Sequence, residues 1–489
     1  MDIKPIEKGK VQVKPFEWFS WLYIICLILV FFIALWQYYL NRSLWLDEAM
    51  LANNILNRNL LELLQPLDNF QSAPPLFLIL LKLISYLSKE EWALRAVGLI
   101  CFLVASILWA QFLKKELKNH LAIVLGICLF SMNFTMFRYA IELKQYAGDV
   151  LLTVILVPLT LNLIRNPMKI GEKIRFSLIA IIGILFSNIV LLLLIFPIGF
   201  FLYSDLKESK LPWFSLGMIM LVVSHYFIFA YKHPHIAYMT NYWENAGGFN
   251  IMNLTKLTSL FSNLFLFGKS SFWILGSLIF LGLFYLIQSG KIITGLVILL
   301  PIMIHITIAA FKKYPFDTRF CLYAIPLLVL LMCYGIQFLL NGLHIPLNSF
   351  LVIGLSTLIS IFLLYKLFKN PFPIEVEELK EVITQIGANI KGTDNMYIYY
   401  GAVPAFEYYH HLGQIPKCDE IQKGKNYRFR PELYENEFSL KSDRIWFISS
   451  HVFGKEDSII MHDIIYKGYQ LKSICTAKGV KAALFSKAQ

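Results

Sequence analysis

Long apolar runs recur along the chain, and they constrain its fold more than any other feature of the sequence. The first run, FEWFSWLYIICLILVFFIALWQYYL, covers residues 16–40, and about 20 apolar residues in a helix cross a bilayer. Only 16% of the 489 residues are charged, whereas about a quarter are charged in a soluble domain. We therefore expect a mostly α-helical polytopic membrane protein. The first run is too long for a signal-peptide core and no small-residue cleavage site follows it, so it is expected to remain as a span.

Short basic segments between the apolar runs predict which side of the membrane each loop lies on. The N-terminal MDIKPIEKGKVQVKP and the segments 114–120 and 165–175 are rich in Lys and Arg, which favours the cytoplasmic side. Alternation from there predicts about eleven transmembrane helices, the last at about 349–367. The formal charge of +12 is then explained by basic cytoplasmic loops that face anionic lipids. No nucleic-acid partner is therefore expected.

The same path leaves residues 41–91 as a long outer loop. Its segments LLELLQPL and PPLFLILLKLISYL are too short or too polar to span, and they are expected to be helices lying at the membrane interface. Residues 1–370 thus form the predicted transmembrane module.

The composition becomes polar after Pro371, which predicts a separate soluble domain at 371–489. Segments with helical spacing, EVEELKEVITQI, AFEYYHHL and EDSIIMHDIIYKG, alternate with the strand-like NMYIYYG, RIWFISS and AALFSKA. This alternation favours a small α/β domain, and an odd number of spans makes it extracytoplasmic. Only Cys418 and Cys475 of the seven cysteines lie in polar sequence. If the domain is extracytoplasmic, the sequence leaves open one disulfide between them.

Two adjacent acids, Asp47 and Glu48 in WLDEA, follow the first span. They are either solvated acids that favour a helix N-terminus or part of a reactive site. Adjacent side chains on a helix point about 100° apart, so the two carboxylates are expected to have different tasks.

Cations accompany these acids on the predicted outer side. In FRYAIELKQYAGD, Arg138, Glu142 and Tyr146 share one face at helical spacing, and the simpler interpretation is an internal Arg138–Glu142 pair. The segment KKYPFDTRF adds three further cations, Lys312, Lys313 and Arg319, of which the lysines are suited to snorkelling. Outer cations run against the positive-inside rule, and an anionic lipid-linked substrate at the outer leaflet would explain them.

The order of these motifs resembles that of the GT-C glycosyltransferases. An acidic pair, then PPL, then YAIELKQY, then a basic residue before YAIP is similar to the group of protein O-mannosyltransferases, aminoarabinose–lipid A transferases and related bacterial membrane glycosyltransferases. The resemblance covers the membrane part, and some relatives also carry a late extracytoplasmic domain. It implies a hexosyl- or pentosyltransferase of the bacterial inner or plasma membrane. Its partners would be membrane lipids, a polyprenyl-phosphate sugar donor, and a hydroxyl acceptor on a lipid, glycan or protein outside the cytoplasm.

The resemblance also implies site residues, position by position. Asp47 would be at the catalytic centre with Glu48 as the second acid. The donor-binding positions are Glu142, Lys144, Tyr146 and Arg319, to which we add Lys313 as a further cation near the phosphate.

Two positions depart from the pattern of the relatives. Ala73, preceded by Ser72 and Gln71, stands where relatives carry His or Lys before PPL, so one phosphate or metal contact is missing or supplied elsewhere. Lys144 stands where Arg is common, which keeps the charge and loses the bidentate fork.

The chemistry of such a transfer fits these residue types. A phosphate leaving group needs positive charge, which Lys144, Arg319 or Lys313 would supply. The acceptor hydroxyl must lose a proton, and Asp47 is expected to be the general base. Direct displacement would invert the anomeric centre, although retention stays open.

No metal ligand is assigned. His233 and His235 have a spacing that two ligands of one metal can have in extended structure, but polar loop histidines are the simpler interpretation. A divalent metal therefore remains open as the only candidate cofactor.

Two other functional classes compete with the enzyme. A transporter or flippase for lipid-linked sugars would carry ionisable groups near the bilayer midplane, but the predicted spans hold mainly His225 and His305. A scaffold that presents the α/β domain leaves the acids and cations unexplained. The membrane glycosyltransferase therefore remains the favoured function.

Overall fold

Helices fill the first part of the chain, and a mixed α/β domain follows. The computed structural model describes residues 18–166, 170–230, 234–265, 268–342, 374–428 and 430–487, with isolated residues between 354 and 369. Within these residues, the helices up to 342 are α1 Trp18–Tyr39, α2 Leu46–Asn57, α3 Pro75–Ser85, α4 Glu91–Glu116, α5 His120–Ser131, α6 Phe134–Ala140, α7 Tyr146–Arg165, α8 Ile170–Phe186, α9 Val190–Lys207, α10 Trp213–His225, α11 Ile236–Asn245, α12 Leu254–Phe265, α13 Gly268–Gln288, α14 Ile292–Ala310 and α15 Ala324–Gly342.

Six of the described helices are long and apolar enough to cross a membrane, namely α1, α4, α7, α9, α14 and α15. The pair α5 and α6, bent by 45°, makes a seventh if it counts as one span. The protein is therefore a multi-pass membrane protein. The count of eleven stays a prediction, because the last predicted span at 349–367 falls largely outside the described residues. Helices α8 and α9 are joined by a short turn at residues 187–189.

The first outer loop differs from its prediction. Helix α3 forms as expected, but LLELLQPL contains only a single 3-10 turn at Glu62–Leu64, because Pro66 follows too closely for a longer helix. The main helix of this loop is α2, whose buried face includes Glu48, Leu51 and Ile55. Helix α2 is thus a packed element of the protein.

The C-terminal domain is one five-stranded sheet with three α-helices and a 3-10 helix at Pro431–Asn436 in the described residues. Its helices are α16 Leu379–Gly387, α17 Val403–His411 and α18 Glu456–Tyr466, and its strands are β1 Asn395–Ile398, β2 Ile421–Lys423, β3 Arg444–Ser450, β4 Tyr469–Ala477 and β5 Val480–Lys487. The strand order is β2-β1-β3-β5-β4, with β1 parallel to both neighbours and β5 antiparallel to both of its own.

The sequence predicted six of these eight elements. The missed strands are β2, which has three residues, and β4, whose central residues are exposed. An edge strand of mostly exposed side chains lacks the alternation that identifies a half-buried strand. Cys418 and Cys475 are both free thiols, so the disulfide left open above is not formed in this structure.

Close packing of two helices fixes the backbone beside residues 41–48, which form the acidic loop. A Cβ atom on Gly98 of α4 would lie 2.6 Å from the Ala140 carbonyl oxygen at the end of α6, so only glycine allows this approach. The chain that follows Ala140 is thereby held against α4, and it carries three of the predicted site residues.

Candidate active site

A salt bridge joins the N-terminus of α2 to the turn between α14 and α15. Asp47 Oδ2, in the first turn of α2, lies 2.6 Å from Arg319 Nη1, in the turn between α14 and α15. The Arg319 guanidinium also lies over the ring of Trp243, at 4.8 Å from the centroid, and over that of Phe320, at 5.5 Å. These cation–π contacts hold the guanidinium in place, so Asp47 faces a fixed cation.

Lys144 adjoins this pair from the loop between α6 and α7. Its Nζ donates to Gln71 Oε1 at 2.6 Å, so a residue two positions before Ala73 contacts the site cation. Burial lowers the pKa of Lys144, and the Asp47 carboxylate opposes that effect. Burial alone would raise the pKa of Asp47, but Lys144 and Arg319 outweigh it and lower the pKa. Asp47 is therefore an ionised carboxylate between two cations.

Glu48 points away from this cluster into the protein. Its Oε2 accepts from Arg42 Nη1 at 2.8 Å and from Arg95 Nη2 at 2.7 Å. Its Oε1 accepts from Arg95 Nε at 2.9 Å and from the Leu143 N–H at 2.8 Å. Burial opposes ionisation, but the two arginines outweigh it and lower the pKa of Glu48. The two adjacent acids therefore have separate partners, Arg319 for Asp47 and Arg42 and Arg95 for Glu48.

The prediction of one helix face through Arg138, Glu142 and Tyr146 is wrong. Helix α6 ends at Ala140 and α7 begins at Tyr146. The Leu143 N–H donates to the Glu48 carboxylate, and a helix would need that N–H to bond four residues back. The side chain of Glu48 thus competes with the helix and stabilises the irregular turn that presents Lys144.

Glu142 and Tyr146 are buried next to the cluster, and Lys313 is not. Burial, followed by the charge of Glu48, raises the pKa of Glu142, and one of its oxygens has no hydrogen-bond partner among the described residues. The Tyr146 ring contacts Phe320 edge-to-face at 6.1 Å. Lys313 is exposed on its loop, and its neighbour Lys312 pairs with Glu244.

The histidines have structural partners. His235 Nε2 lies 3.0 Å from the Leu67 carbonyl oxygen, and His233 lies outside the described residues. His305 bonds the Tyr323 hydroxyl and the Pro315 carbonyl. No group of three or more metal-ligating side chains gathers within the described ranges.

Sequence reasoning missed the partners that hold the acidic loop. Arg42 and Arg95 bind Glu48, and an Arg in the first turns of an apolar span is itself a signal, because a buried charge requires a partner. Glu377 and His451 of the C-terminal domain reach the same loop, as Glu377 Oε2 accepts from the Leu46 N–H at 2.9 Å. No local pattern marks contacts between residues this far apart in the chain.

Comparison with solved structures shows the fold. ArnT from Cupriavidus metallidurans bound to undecaprenyl phosphate matches with a TM-score of 0.51 and 10% sequence identity, over 95% of this chain and 97% of that chain. The same protein in the apo state matches with a TM-score of 0.48 and 11% identity, over 95% and 97% of the two chains. The Archaeoglobus fulgidus oligosaccharyltransferase in complex with Zn and sulfate matches with a TM-score of 0.47 and 12% identity, over 94% of this chain and 72% of that chain. No protein-family model and no curated protein sequence matches this chain. The predicted resemblance is confirmed at the level of the GT-C fold.

Proposed function

Because the chain has the GT-C fold, we propose that it is a membrane glycosyltransferase. It moves a sugar from a polyprenyl-phosphate donor to a hydroxyl acceptor on the extracytoplasmic face of a bacterial inner or plasma membrane. The observation that carries the proposal is the contact between Asp47 and Arg319, with Lys144 beside it. One carboxylate and two cations leave an excess of positive charge where the loops of the outer side meet.

The two cations are suited to the phosphate of the donor. A guanidinium has five N–H donors, and the contact with Asp47 uses one of Arg319's donors. The Lys144 ammonium has three donors, and Gln71 takes one of them. Both cations therefore keep donors for phosphate oxygens, and they stabilise the charge that develops as the sugar–phosphate bond breaks.

Asp47 is suited to the acceptor. The acceptor oxygen attacks the anomeric carbon, the phosphate leaves with the bonding electrons, and the hydroxyl proton passes to Asp47. In the substrate-free site the neighbouring cations make Asp47 a weak base. A bound phosphate would offset their charge and raise the basicity of Asp47, so the base would strengthen when the donor is in place.

Glu48, Glu142 and Tyr146 support this chemistry from the protein side. Glu48 fixes the turn that carries Lys144 through the Leu143 N–H. Glu142 and Tyr146 pack beside Arg319 and influence the electrostatic environment of its guanidinium. Lys313 has no role in this mechanism.

Product analysis with the full-length protein tests the proposal. The protein is reconstituted in liposomes that contain a panel of synthetic undecaprenyl-phosphate hexoses and pentoses, with lipid, glycan and peptide acceptors added outside. We expect release of undecaprenyl phosphate together with a glycosylated acceptor, and loss of both in Asp47→Asn. Movement of intact donor across the bilayer without release of undecaprenyl phosphate would favour the transporter instead.

A further inference from the structure

The C-terminal domain holds the chain immediately ahead of Asp47. Three backbone N–H groups of this segment donate to acceptor side chains of that domain. The bonds are Ser43 N–H to Glu378 Oε2 at 2.9 Å, Leu44 N–H to the Tyr409 hydroxyl at 2.8 Å, and Leu46 N–H to Glu377 Oε2 at 2.9 Å. The C-terminal domain is therefore in direct contact with the segment that leads into α2.

The bond to Leu46 has a specific consequence for α2. Leu46 is the first residue of the helix, and the first N–H groups of a helix have no partner within it. The N-cap residue is Trp45, whose indole has no acceptor atom. The carboxylate of Glu377 takes over the missing cap, and its negative charge also favours the N-terminus of the helix. Asp47 is the next residue along this turn.

Glu377 is itself held in place. Its Oε1 lies 2.8 Å from His451 Nδ1, on the loop that follows β3, and Glu377 is buried. His451 has a positive φ of 51°, a conformation that costs energy for a residue with a side chain. The loop therefore adopts a strained backbone at the residue that holds Glu377.

We propose that Glu377, held by His451, is a positioning residue for the transfer reaction, because it caps the helical turn that aims Asp47 at the acceptor. This inference rests on the proposed function. Glu377 does not touch the substrate, and its effect passes through the orientation of the α2 N-terminus. A misplacement of a reacting group by about 1 Å can cost about a hundredfold in rate.

General docking of the domain is the competing role, and the structure offers a control for it. Tyr408 donates its hydroxyl to the Lys89 carbonyl at 2.7 Å, which joins the same two parts of the protein through a bond that does not involve residues 43–48. Tyr408→Phe removes this docking bond and keeps the ring. Glu377→Gln keeps an oxygen that can accept from the Leu46 N–H and an amide that can donate to His451, but it removes the charge.

The test compares Glu377→Ala, Glu377→Gln and Tyr408→Phe in the full-length protein in liposomes, with the undecaprenyl-phosphate donors described above. For Glu377→Ala we expect kcat to fall by about ten- to a hundredfold, with the KM for the donor little changed, because the phosphate-binding cations are untouched. Glu377→Gln should stay within about threefold of the wild type, since the cap is kept and only its charge assistance is lost. Tyr408→Phe should match the wild type. Amide hydrogen exchange of residues 43–50 should quicken in Glu377→Ala alone.

Three results would overturn the inference: a normal kcat in Glu377→Ala, an equal loss in Tyr408→Phe, or a Glu377→Gln as slow as Glu377→Ala. Equal loss in Tyr408→Phe would assign the effect to docking, and a slow Glu377→Gln would assign it to charge. Failure of the proposed function is recognised separately, because the wild-type protein would then release no undecaprenyl phosphate before any variant is compared.

Discussion

Asp47 Oδ2 and Arg319 Nη1 lie 2.6 Å apart although the two residues are 272 positions apart in the chain. The contact joins the helix after the first span to the turn before α15, so it requires most of the membrane part to be folded. It also brings the proposed base next to the proposed phosphate ligand. The predictions below test these two roles separately.

Removal of either cation should weaken donor binding. Arg319→Ala and Lys144→Ala each lose a charge-assisted bond to phosphate, worth about 1.5–3 kcal/mol, or roughly ten- to a hundredfold in affinity. Arg319→Lys should be intermediate, because it keeps the charge without the fork. Binding of undecaprenyl phosphate to the detergent-solubilised protein measures this effect.

Lys312→Ala, on the same loop as Arg319, is the control and should bind normally. Wild-type affinity in both Ala variants would exclude them as phosphate ligands.

Asp47→Asn should keep donor binding and lose transfer. Asn is nearly isosteric with Asp but does not accept a proton at neutral pH, and a positioned base contributes about a hundred- to ten-thousandfold. Initial rates of undecaprenyl phosphate release measure the loss, with Asp68→Asn as a matched change at an exposed acid of the same loop. Near-normal transfer by Asp47→Asn would disprove its assignment as the base.

Substitution of Glu48 should act on stability first. Glu48 is buried between Arg42 and Arg95, and removal of one partner from a buried ion pair costs about 3–5 kcal/mol. Glu48→Ala should therefore expose two unpaired arginines and unfold at a much lower temperature, whereas Glu48→Gln should lose less. Thermal unfolding in detergent, compared with Glu62→Gln at an exposed site, measures both. A Glu48→Gln protein with normal stability and no transfer would exchange the roles of the two acids.

The stability gained by Glu142→Gln should depend on pH. Burial, followed by Glu48, raises the pKa of Glu142 in the folded protein, so the folded state prefers the protonated acid. That preference stabilises the fold below the ordinary glutamate pKa and is lost as pH rises through the raised pKa. Gln resembles the protonated acid, so its advantage in unfolding temperature should be larger at about pH 8 than at about pH 5. Glu381→Gln, which is exposed, should show no such trend. A smaller advantage at high pH would mean that ionised Glu142 is stabilised by Arg42, Arg138 and Arg319.

The C-terminal domain should be accessible from outside the cytoplasm. In a protein with Cys418→Ser and Cys475→Ser, a cysteine at exposed Lys441 should react with an impermeant thiol reagent in cells whose outer barrier is permeabilised. Lys118→Cys, which follows α4 at the other end of the bundle, should be protected. The reverse pattern would invert the topology and move the site to the cytoplasmic face.

The sequence predicted those parts of the fold that depend on local pattern. Apolar runs marked the long helices, and the alternation of helical and strand-like segments after Pro371 marked six of eight elements. The helix through Arg138 and Glu142 was wrong because the Leu143 N–H bonds the side chain of Glu48, 95 positions away. Periodicity describes only neighbours in the chain, so it does not detect such competition.

The site was partly predictable, because some of its residues lie in recognisable local motifs. Asp47, Lys144 and Arg319 were identified from motifs, and the structure brings these three together. Lys313 was chosen by charge alone and is exposed, since a loop lysine has no pattern that distinguishes a ligand from a solvated cation. Arg95, Gln71 and Glu377 contribute through contacts between segments that are distant in the chain. Such contacts cannot be identified from a single sequence.

The caps ahead of Asp47 have a consequence for biosynthesis. Ser43 and Glu378 are 335 positions apart, and Leu46 and Glu377 are 331 apart. A chain made from its N-terminus folds its early parts first, so the acidic loop emerges long before its caps are translated. A ribosome that stalls within the last spans would leave an inserted helix bundle whose loop is unfinished. We therefore expect the N-terminus of α2 to be complete only after the C-terminal domain has been synthesised.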